Sequence, residues 1–401
     1  MFVSSHIALS SPPVPQRRSR LAFVSPLPPQ RSGVAAYAAE LIPALAAHYD
    51  LDLVCEDATA REAWSHTGHK VLDPAAFSSR SASYDRILYQ LGNSNAHRWM
   101  FPLLQDHPGV VTLHDVFLSG VLSDMDTSSF REGAWFEALY RDHGWGPAAD
   151  RYLHRDPFAV IQRYPCCGAA LFDSVGAIVH SREALERIRR WYGGWADTVS
   201  LIPHLRAPYP PCGRGGPAAG GGIDLGFAPD DFVVCSFGGL GPSKLNHRLL
   251  AAFAASASSG DPRCRLAFVG GELSSDYAQE LQRQIEALGL GERVRLTGWV
   301  EPDTYNSYLR RADLAVQLRA HSRGESSGAA LDCLNHGAPV LVNAHGSMGE
   351  LPADAVWRLP DAFTDAQLAG ALERLRADAG LRARLAEAGR RRIRAEHAPA
   401  A

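Results

Sequence analysis

From residue 21 onward, short apolar runs alternate with longer segments of helical period, the pattern of a parallel sheet covered by helices. Leu21 to Ser25 reads as a first strand. After Gly33, the residues Val34, Tyr37, Ala38, Leu41, Ile42 and Leu45 fall on one helix face, so the chain opens as strand, loop, helix. Further strands are predicted over 51–54, 86–90, 110–113, 177–179 and 201–202. Between about 121 and 170 stand Phe130, Trp135, Phe136, Tyr140, Trp145, Tyr152, Phe158 and Tyr164, which predict helices inserted into a first domain with their aromatics in the core.

A composition break follows: Pro208, Pro210 and Pro211 precede a run rich in glycine up to Gly222, which is linker chemistry. The alternation then restarts with strands over 232–236, 266–269, 294–297, 314–318 and 340–343 and helices over 249–253 and 276–288. The expected organisation is a tail over 1–20, a first domain over 21–207, a linker over 208–228 and a second domain over 229–401. Ligands of such sheets bind beyond the carboxyl ends of the strands, so both sets of strand-end loops should face one cleft.

Composition narrows the function. With 401 residues, 46% hydrophobic and 21% charged, the chain has the material for one large or two medium globular domains. Lys plus Arg number 40 against 43 Asp plus Glu, which lacks the basic excess of a nucleic-acid binder. Seven cysteines with no Cys-x-x-Cys spacing point to a reducing cytosol rather than a zinc or redox site. No apolar run has the length of a membrane span. The basic cluster Arg17, Arg18 and Arg20 reads as a solvated tail.

Several strand ends carry candidate chemistry. Gly33 opens a helix, where free N–H groups and the dipole favour an anion; it is either the seat of a phosphate or sugar or the hinge of a tight turn. No G-x-G-x-x-G or G-x-x-x-x-G-K-[ST] string occurs, which counts against dehydrogenases and P-loop ATPases. His114 and Asp115 end a strand, where a histidine either hydrogen-bonds a sugar hydroxyl or serves the core. The turn FGGLGPSK, with Gly238, Gly239 and Lys244, is either a diphosphate seat or a loop with a surface lysine. The segment LRAHSRGESSGAALDCLNHGAPVLVN sets Arg323, Glu325, Ser326, Ser327 and Gly328 at a helix start, with Asp332 about two turns further on. A carboxylate there can take sugar hydroxyls and the amides behind it phosphate, with Asp332 in reach of a ribose; plain helix capping is the other reading. Of the two Asp-x-Asp strings, Asp50-Leu-Asp52 lies at the wrong strand end for a diphosphate metal, and Asp124-Met-Asp126 lacks supporting ligands, so no metal site is expected.

Taken together, the loop ending in Gly33, LHD at 113–115, IVHS at 178–181, IPH at 202–204, the Lys244 turn, FVGG at 268–271, VRLTGWV at 294–300 and the block 323–343 resemble the GT-B fold glycosyltransferases, in particular retaining family 4. The resemblance spans about residues 21–396. It implies an α/β protein of two Rossmann-like domains across a central cleft, acting on a nucleoside diphosphate sugar of UDP or GDP type and a carbohydrate or lipid-linked acceptor, without metal or cofactor. It implies donor-sugar contact by Glu325, diphosphate contacts by Lys244 and Ser326 to Gly328, a histidine near the transferred sugar at His114, sugar approach at Gly33, and base contacts at Trp299 and Val300. A cytoplasmic location follows, with peripheral contact at the inner membrane face for a lipid-linked acceptor.

The chain departs from the family pattern in three places. The second signature glutamate is replaced, by Asp332 counted from Gly337 or by Cys333 counted from Glu325. Gly239 stands where an arginine usually helps the diphosphate, leaving Arg319 or Arg323 as substitutes. The ending EHAPAA comes where relatives send a last helix back to the first domain. These departures support the competing reading of a degenerate GT-B protein that binds a nucleotide sugar or glycan without turnover.

Overall fold

The first half of the chain contributes seven strands, β1 (Arg20–Val24), β2 (Asp50–Val54), β3 (Lys70–Leu72), β4 (Arg86–Leu91), β5 (Val110–Leu113), β6 (Gly176–Val179) and β7 (Val199–Leu201). The second half contributes β8 (Phe232–Phe237), β9 (Cys264–Val269), β10 (Val294–Leu296), β11 (Leu314–Gln317), β12 (Val340–Asn343) and β13 (Val356–Leu359). In this computed structural model, which describes residues 17–154, 156–209, 223–256 and 260–400, they form two separate parallel sheets. The orders are β3-β2-β1-β4-β5-β6-β7 and β10-β9-β8-β11-β12-β13. In each sheet the order reverses next to the first strand, which makes the gaps β1/β4 and β8/β11 the natural ligand crevices.

Helices cover both faces of each sheet. The first domain holds α1 (Gly33–Ala46), α2 (Ala58–Ser65), α3 (Pro74–Ser78), α4 (Met100–Asp106), α5 (Ser119–Thr127), α6 (Ala134–His143), α7 (Trp145–Leu153), α8 (Pro157–Arg163), α9 (Gly168–Phe172) and α10 (Arg182–Tyr192). The second holds α11 (Asn246–Ala255), α12 (Asp276–Ala287), α13 (Pro302–Arg311), α14 (Gly328–His336), α15 (Asp365–Ala377) and α16 (Ala379–Glu396). Covering both faces explains the continuous apolar strands: Leu21 and Phe23 pack with Ala38 and Ile42 of α1, while Ala22 and Val24 pack with Tyr89 and Leu91 on the far face. The second sheet repeats this, with Val234 toward Leu249 and Phe253 of α11 and Val233 and Cys235 toward Leu309 and Cys333.

Four expectations need correction. Arg20 belongs to β1 rather than the tail; its guanidinium reaches Ser83 O and Asp52 Oδ2 from the amino end of the strand, so a basic residue sits in a strand because its head stays near water. The last strand of the first sheet is 199–201, not 201–202. The edge strands β3 and β13 went unpredicted: β3 is three residues long and β13 carries Arg358 in its middle. Of the aromatics in the inserted segment, Trp135 and Tyr164 are buried and Phe136 packs partly buried against the core, while Phe130, Tyr140, Trp145, Tyr152 and Phe158 are exposed. Residues 1–16 of the expected tail and 210–222 of the expected linker lie outside the described residues. No described helix is long and apolar enough to cross a membrane.

The domains meet through named bonds. Val116 N and Phe117 N both donate to Arg323 O, at 2.8 and 3.1 Å. Glu350 of the second domain caps α10, its carboxylate accepting from Arg182 N (3.0 Å) and Glu183 N (2.7 Å). The final described helix does return to the first domain: Arg206 N donates to His397 O at 2.7 Å, and His397 Nδ1 donates to His204 O at 2.7 Å.

Candidate active site

The loops on either side of the β8/β11 crevice build the second-domain half. After β8, Gly238 takes φ +104°, and a side chain there would be strained; its carbonyl lies so close to Gly270 that a Cβ on Gly270 would stand 2.8 Å from it. The chain then turns through Gly239 and Gly241 into the short turn bearing Lys244, and Ala320 N donates to Ser243 O (2.9 Å), tying this turn to the end of β11. Burial, reinforced by the nearby Arg319 charge, lowers Lys244 to about 7, with Glu325 and Asp115 opposing. Lys244 is thus a strongly desolvated cation facing two carboxylates.

After β11, Arg319 is fixed from both sides: its N–H donates to Asn343 Oδ1, and its carbonyl accepts from Asn343 Nδ2, both at 2.8 Å. Its guanidinium donates to Ser327 Oγ (3.1 Å) and lies 4.0 Å from Glu325 Oε1. Glu325 Oε2 accepts from Arg323 N at 2.6 Å, which folds the carboxylate back over its own loop. Ser327 caps α14 by accepting from Ala330 N (3.3 Å). Among the described residues the N–H groups of Gly328 and Ala329 find no protein acceptor, so the start of α14 offers free donors beside Arg319.

The first-domain half faces this. His114, at the end of β5, has Nε2 2.8 Å from Gln90 Oε1, and Gln90 Nε2 donates to Thr112 Oγ1, so Gln90 presents an acceptor and His114 carries its proton on Nε2. Its ring packs among those of Tyr37, His180 and His204, and burial holds it well below the usual histidine range. Asp115 Oδ2 accepts from Asn93 N (2.9 Å); burial, with the Glu325 charge beside it, pushes this carboxyl up to about 6. Gly33 begins α1 behind the Ser32 cap, with ordinary helical backbone, and an added Cβ would find nothing within 4 Å. Neither the turn nor packing requires glycine there. The space above it is open.

The structure brings together Lys244, Arg323, Glu325, Ser326, Ser327 and Gly328 on one side and His114 on the other. Other expected residues stand differently. Asp332 is engaged, with Oδ1 2.9 Å from Arg206 Nε and Oδ2 accepting from Tyr305 OH (3.3 Å), and Cys333 is fully buried against the sheet. Neither position of the missing glutamate therefore points a free carboxylate at the cleft. Trp299 is half exposed with the Arg31 guanidinium over its ring, while Val300 packs on the second-domain core. Of the Asp-x-Asp residues, Asp52 accepts from Tyr84 OH (2.6 Å), and Asp126 accepts from Gly133 N (2.8 Å) and pairs with Arg151. Asp142, His143 and Cys166 place three ligand atoms within 4.8 Å of one another, but Asp142 Oδ2 already accepts from Gly168 N and Tyr192 OH.

Sequence reading missed the residues that hold these groups: Asn343 for Arg319, Gln90 for His114, Asn93 for Asp115 and Arg206 for Asp332. Asn343 and Gln90 do end or sit in apolar strands, where a buried amide is a signal. Arg206, in an irregular segment, gives none.

Two facing Rossmann-like sheets with a cleft walled by both sets of strand ends define the GT-B fold. Residues 223–392, the second domain, match the profile of the family described as glycosyl transferases group 1. HepE from Anabaena, solved with UDP and glucose, superposes with a TM-score of 0.64 at 16% identity, over 95% of this chain and 96% of that one. Sucrose-phosphate synthase from Thermosynechococcus elongatus gives 0.66 at 19% identity over 95% of each chain. WaaG, a glycosyltransferase involved in lipopolysaccharide biosynthesis, gives 0.59 at 14% identity over 93% and 95%. No curated protein matches the sequence. The chain has the GT-B fold, as the resemblance in the sequence implied, and its second domain matches the group 1 profile.

Proposed function

We propose that the protein transfers a sugar from a nucleoside diphosphate sugar, of UDP or GDP type, to an acceptor hydroxyl with retention at the anomeric carbon and without a metal ion, as family 4 enzymes do. The observation that carries this reading is the meeting of Lys244, Arg319, Glu325 and the free N–H groups of α14 opposite His114 and Asp115. Lys244 and the amides from Ser326 to Gly328 hold the diphosphate, whose charge grows as it leaves. Arg319 supplies the cation that Gly239 cannot. Glu325 takes donor-sugar hydroxyls, and the neutral His114 accepts one on Nδ1. Gly33 lets the sugar approach the first domain, and Trp299 with Val300 borders the base.

In the transfer, the acceptor oxygen bonds to the anomeric carbon on the face from which the diphosphate departs, and a departing phosphate oxygen takes the acceptor proton. The protein contributes orientation, charge stabilisation and exclusion of water. The acceptor is a carbohydrate or lipid-linked sugar, the latter reached by peripheral membrane contact from the cytoplasm.

The test is a panel of UDP-, GDP- and ADP-sugars with EDTA present, following nucleotide release and product anomer by NMR. One donor is consumed with retained configuration, and Glu325→Gln and Lys244→Ala each lower turnover by about 100-fold or more. An inverted product, or activity abolished by EDTA, overturns the mechanism. Nucleotide binding without turnover on any acceptor would leave the binding-protein reading.

A further inference from the structure

Of the 40 Lys and Arg residues in the chain, only Lys70 and Lys244 are lysine. Lys70 starts the edge strand β3 and is exposed to water. Lys244 stands in the cleft beside the permanent cations Arg319 and Arg323, where one more guanidinium would supply the same charge. What an amine adds is the ability to shed its proton and attack a carbon atom, which arginine lacks.

The surroundings of Lys244 Nζ suit that chemistry. Among the described residues it makes no hydrogen bond or ion pair, yet the side chain is partly exposed and its nitrogen is not sealed from the cleft. The charged groups facing it are Arg319, Glu325, Asp115 and Arg323. Burial first, and Arg319 after it, disfavours the ammonium and brings the amine down to about 7, so a large share of it is neutral and nucleophilic at neutral pH. Next to the amine lies a seat for an anion. Arg319, whose guanidinium donates to Ser327 Oγ at 3.1 Å, stands there with the N–H groups of Gly328 and Ala329, which have no protein acceptor among the described residues. The bond from Ala320 N to Ser243 O (2.9 Å) holds the lysine turn against the strand end that carries Arg319. A molecule with a phosphate joined to a carbonyl carbon fits both halves of this arrangement at once.

We infer that Lys244 is a site of acylation by acyl phosphates, with the phosphate at Arg319 and the start of α14 and the carbonyl carbon within reach of Nζ. The N–C bond forms as the C–O bond to phosphate breaks. The electron pair of that bond leaves with the phosphate, and the proton lost by the nitrogen passes to it, giving an amide and inorganic phosphate. The amide carries no charge. On the donor-site reading, and only on that reading, acylation therefore switches nucleotide binding off; the covalent step needs the geometry alone.

The experiment treats the full chain with acetyl phosphate near neutral pH and follows both lysines by peptide mass spectrometry, Lys70 being the control within the same molecule. Lys244 is acetylated about tenfold faster than Lys70. Inorganic phosphate, which competes for the anion seat, slows Lys244 and leaves Lys70 unchanged, and N-acetylimidazole, an acyl donor without phosphate, shows a smaller preference. Acetylated protein binds UDP about tenfold to 100-fold more weakly in calorimetry. In Lys244→Arg the same treatment leaves UDP affinity where it was. Equal rates at the two lysines, or indifference of Lys244 to inorganic phosphate, overturns the inference, and full UDP affinity after complete acetylation of Lys244 overturns the switch. Selective acetylation in a protein that binds no UDP supports the modification site and sinks the donor reading, so the two failures give different patterns.

Discussion

Arg206 Nε lies 2.9 Å from Asp332 Oδ1, joining the segment after β7 to the middle of α14. Arg206 is 6% exposed, and Glu40 of α1 supplies a second counter-ion at 3.6 Å. The three residues form a chain of charge from the first domain into the second, at the place where a ribose contact was expected. Removing one side of a nearly buried pair leaves the other charge desolvated. Asp332→Ala therefore lowers the unfolding free energy by about 2–3 kcal/mol in urea titration, while the UDP dissociation constant moves by less than about threefold. Unchanged stability with a large loss of nucleotide affinity would return Asp332 to the ribose.

Lys244 gives the site a pH dependence of defined sign. Its ammonium form is disfavoured by burial and titrates near 7 without ligand, whereas a diphosphate binds that form and raises its pKa. Below 7 the lysine is already charged and affinity is flat on its account. Above 7 it must take up a proton on binding, so UDP affinity falls by up to tenfold per unit between about pH 7.5 and 9, where the phosphates are fully ionised. Calorimetry in buffers of different ionisation enthalpy will register the proton uptake. In Lys244→Met both the slope and the uptake vanish.

Gly324 stands at the seam. It has φ +82°, and a Cβ there would come 2.6 Å from Val116 Cγ2, beside the two hydrogen bonds into Arg323 O. Gly324→Ala strains the loop and wedges the domains apart. Transfer falls by about tenfold or more, because orientation across the cleft is lost, while UDP affinity, a property of the second domain, stays within about threefold. Full activity in this variant would show that the seam plays no part.

Gly33 is the reverse case. Nothing lies within 4 Å of an added Cβ, and the backbone is helical, so Gly33→Ala leaves the melting temperature unchanged or slightly raised, by up to about 0.5 kcal/mol in stability. If the donor sugar occupies that space, kcat/KM drops by about tenfold. Equal kcat/KM would make Gly33 a bystander.

How much of this was legible in the sequence follows from the physics of each element. Strands buried on both faces, such as 232–237 and 340–343, announce themselves as apolar runs; the edge strands β3 and β13 do not. Lys244 and Glu325 were readable because each follows a strong strand and precedes a helix. Asp332 was readable in position but not in partner, since Arg206 comes from a segment 126 residues earlier with no periodicity. The exposed aromatics of α6 to α8 were misread as core because composition does not show which side of a short helix meets the sheet. Glycine also carries two meanings that sequence cannot separate: Gly324 is required by backbone and contact, and Gly33 by neither.

The measurement that bears most directly on the account is calorimetric titration of UDP, GDP and ADP, with EDTA present, into the wild type and Lys244→Ala. One nucleoside diphosphate binds the wild type, and the variant binds it about tenfold to 100-fold more weakly, the worth of a charge-assisted contact. Absence of binding by all three, or equal affinity in the two proteins, would contradict a donor site at Lys244 and the start of α14.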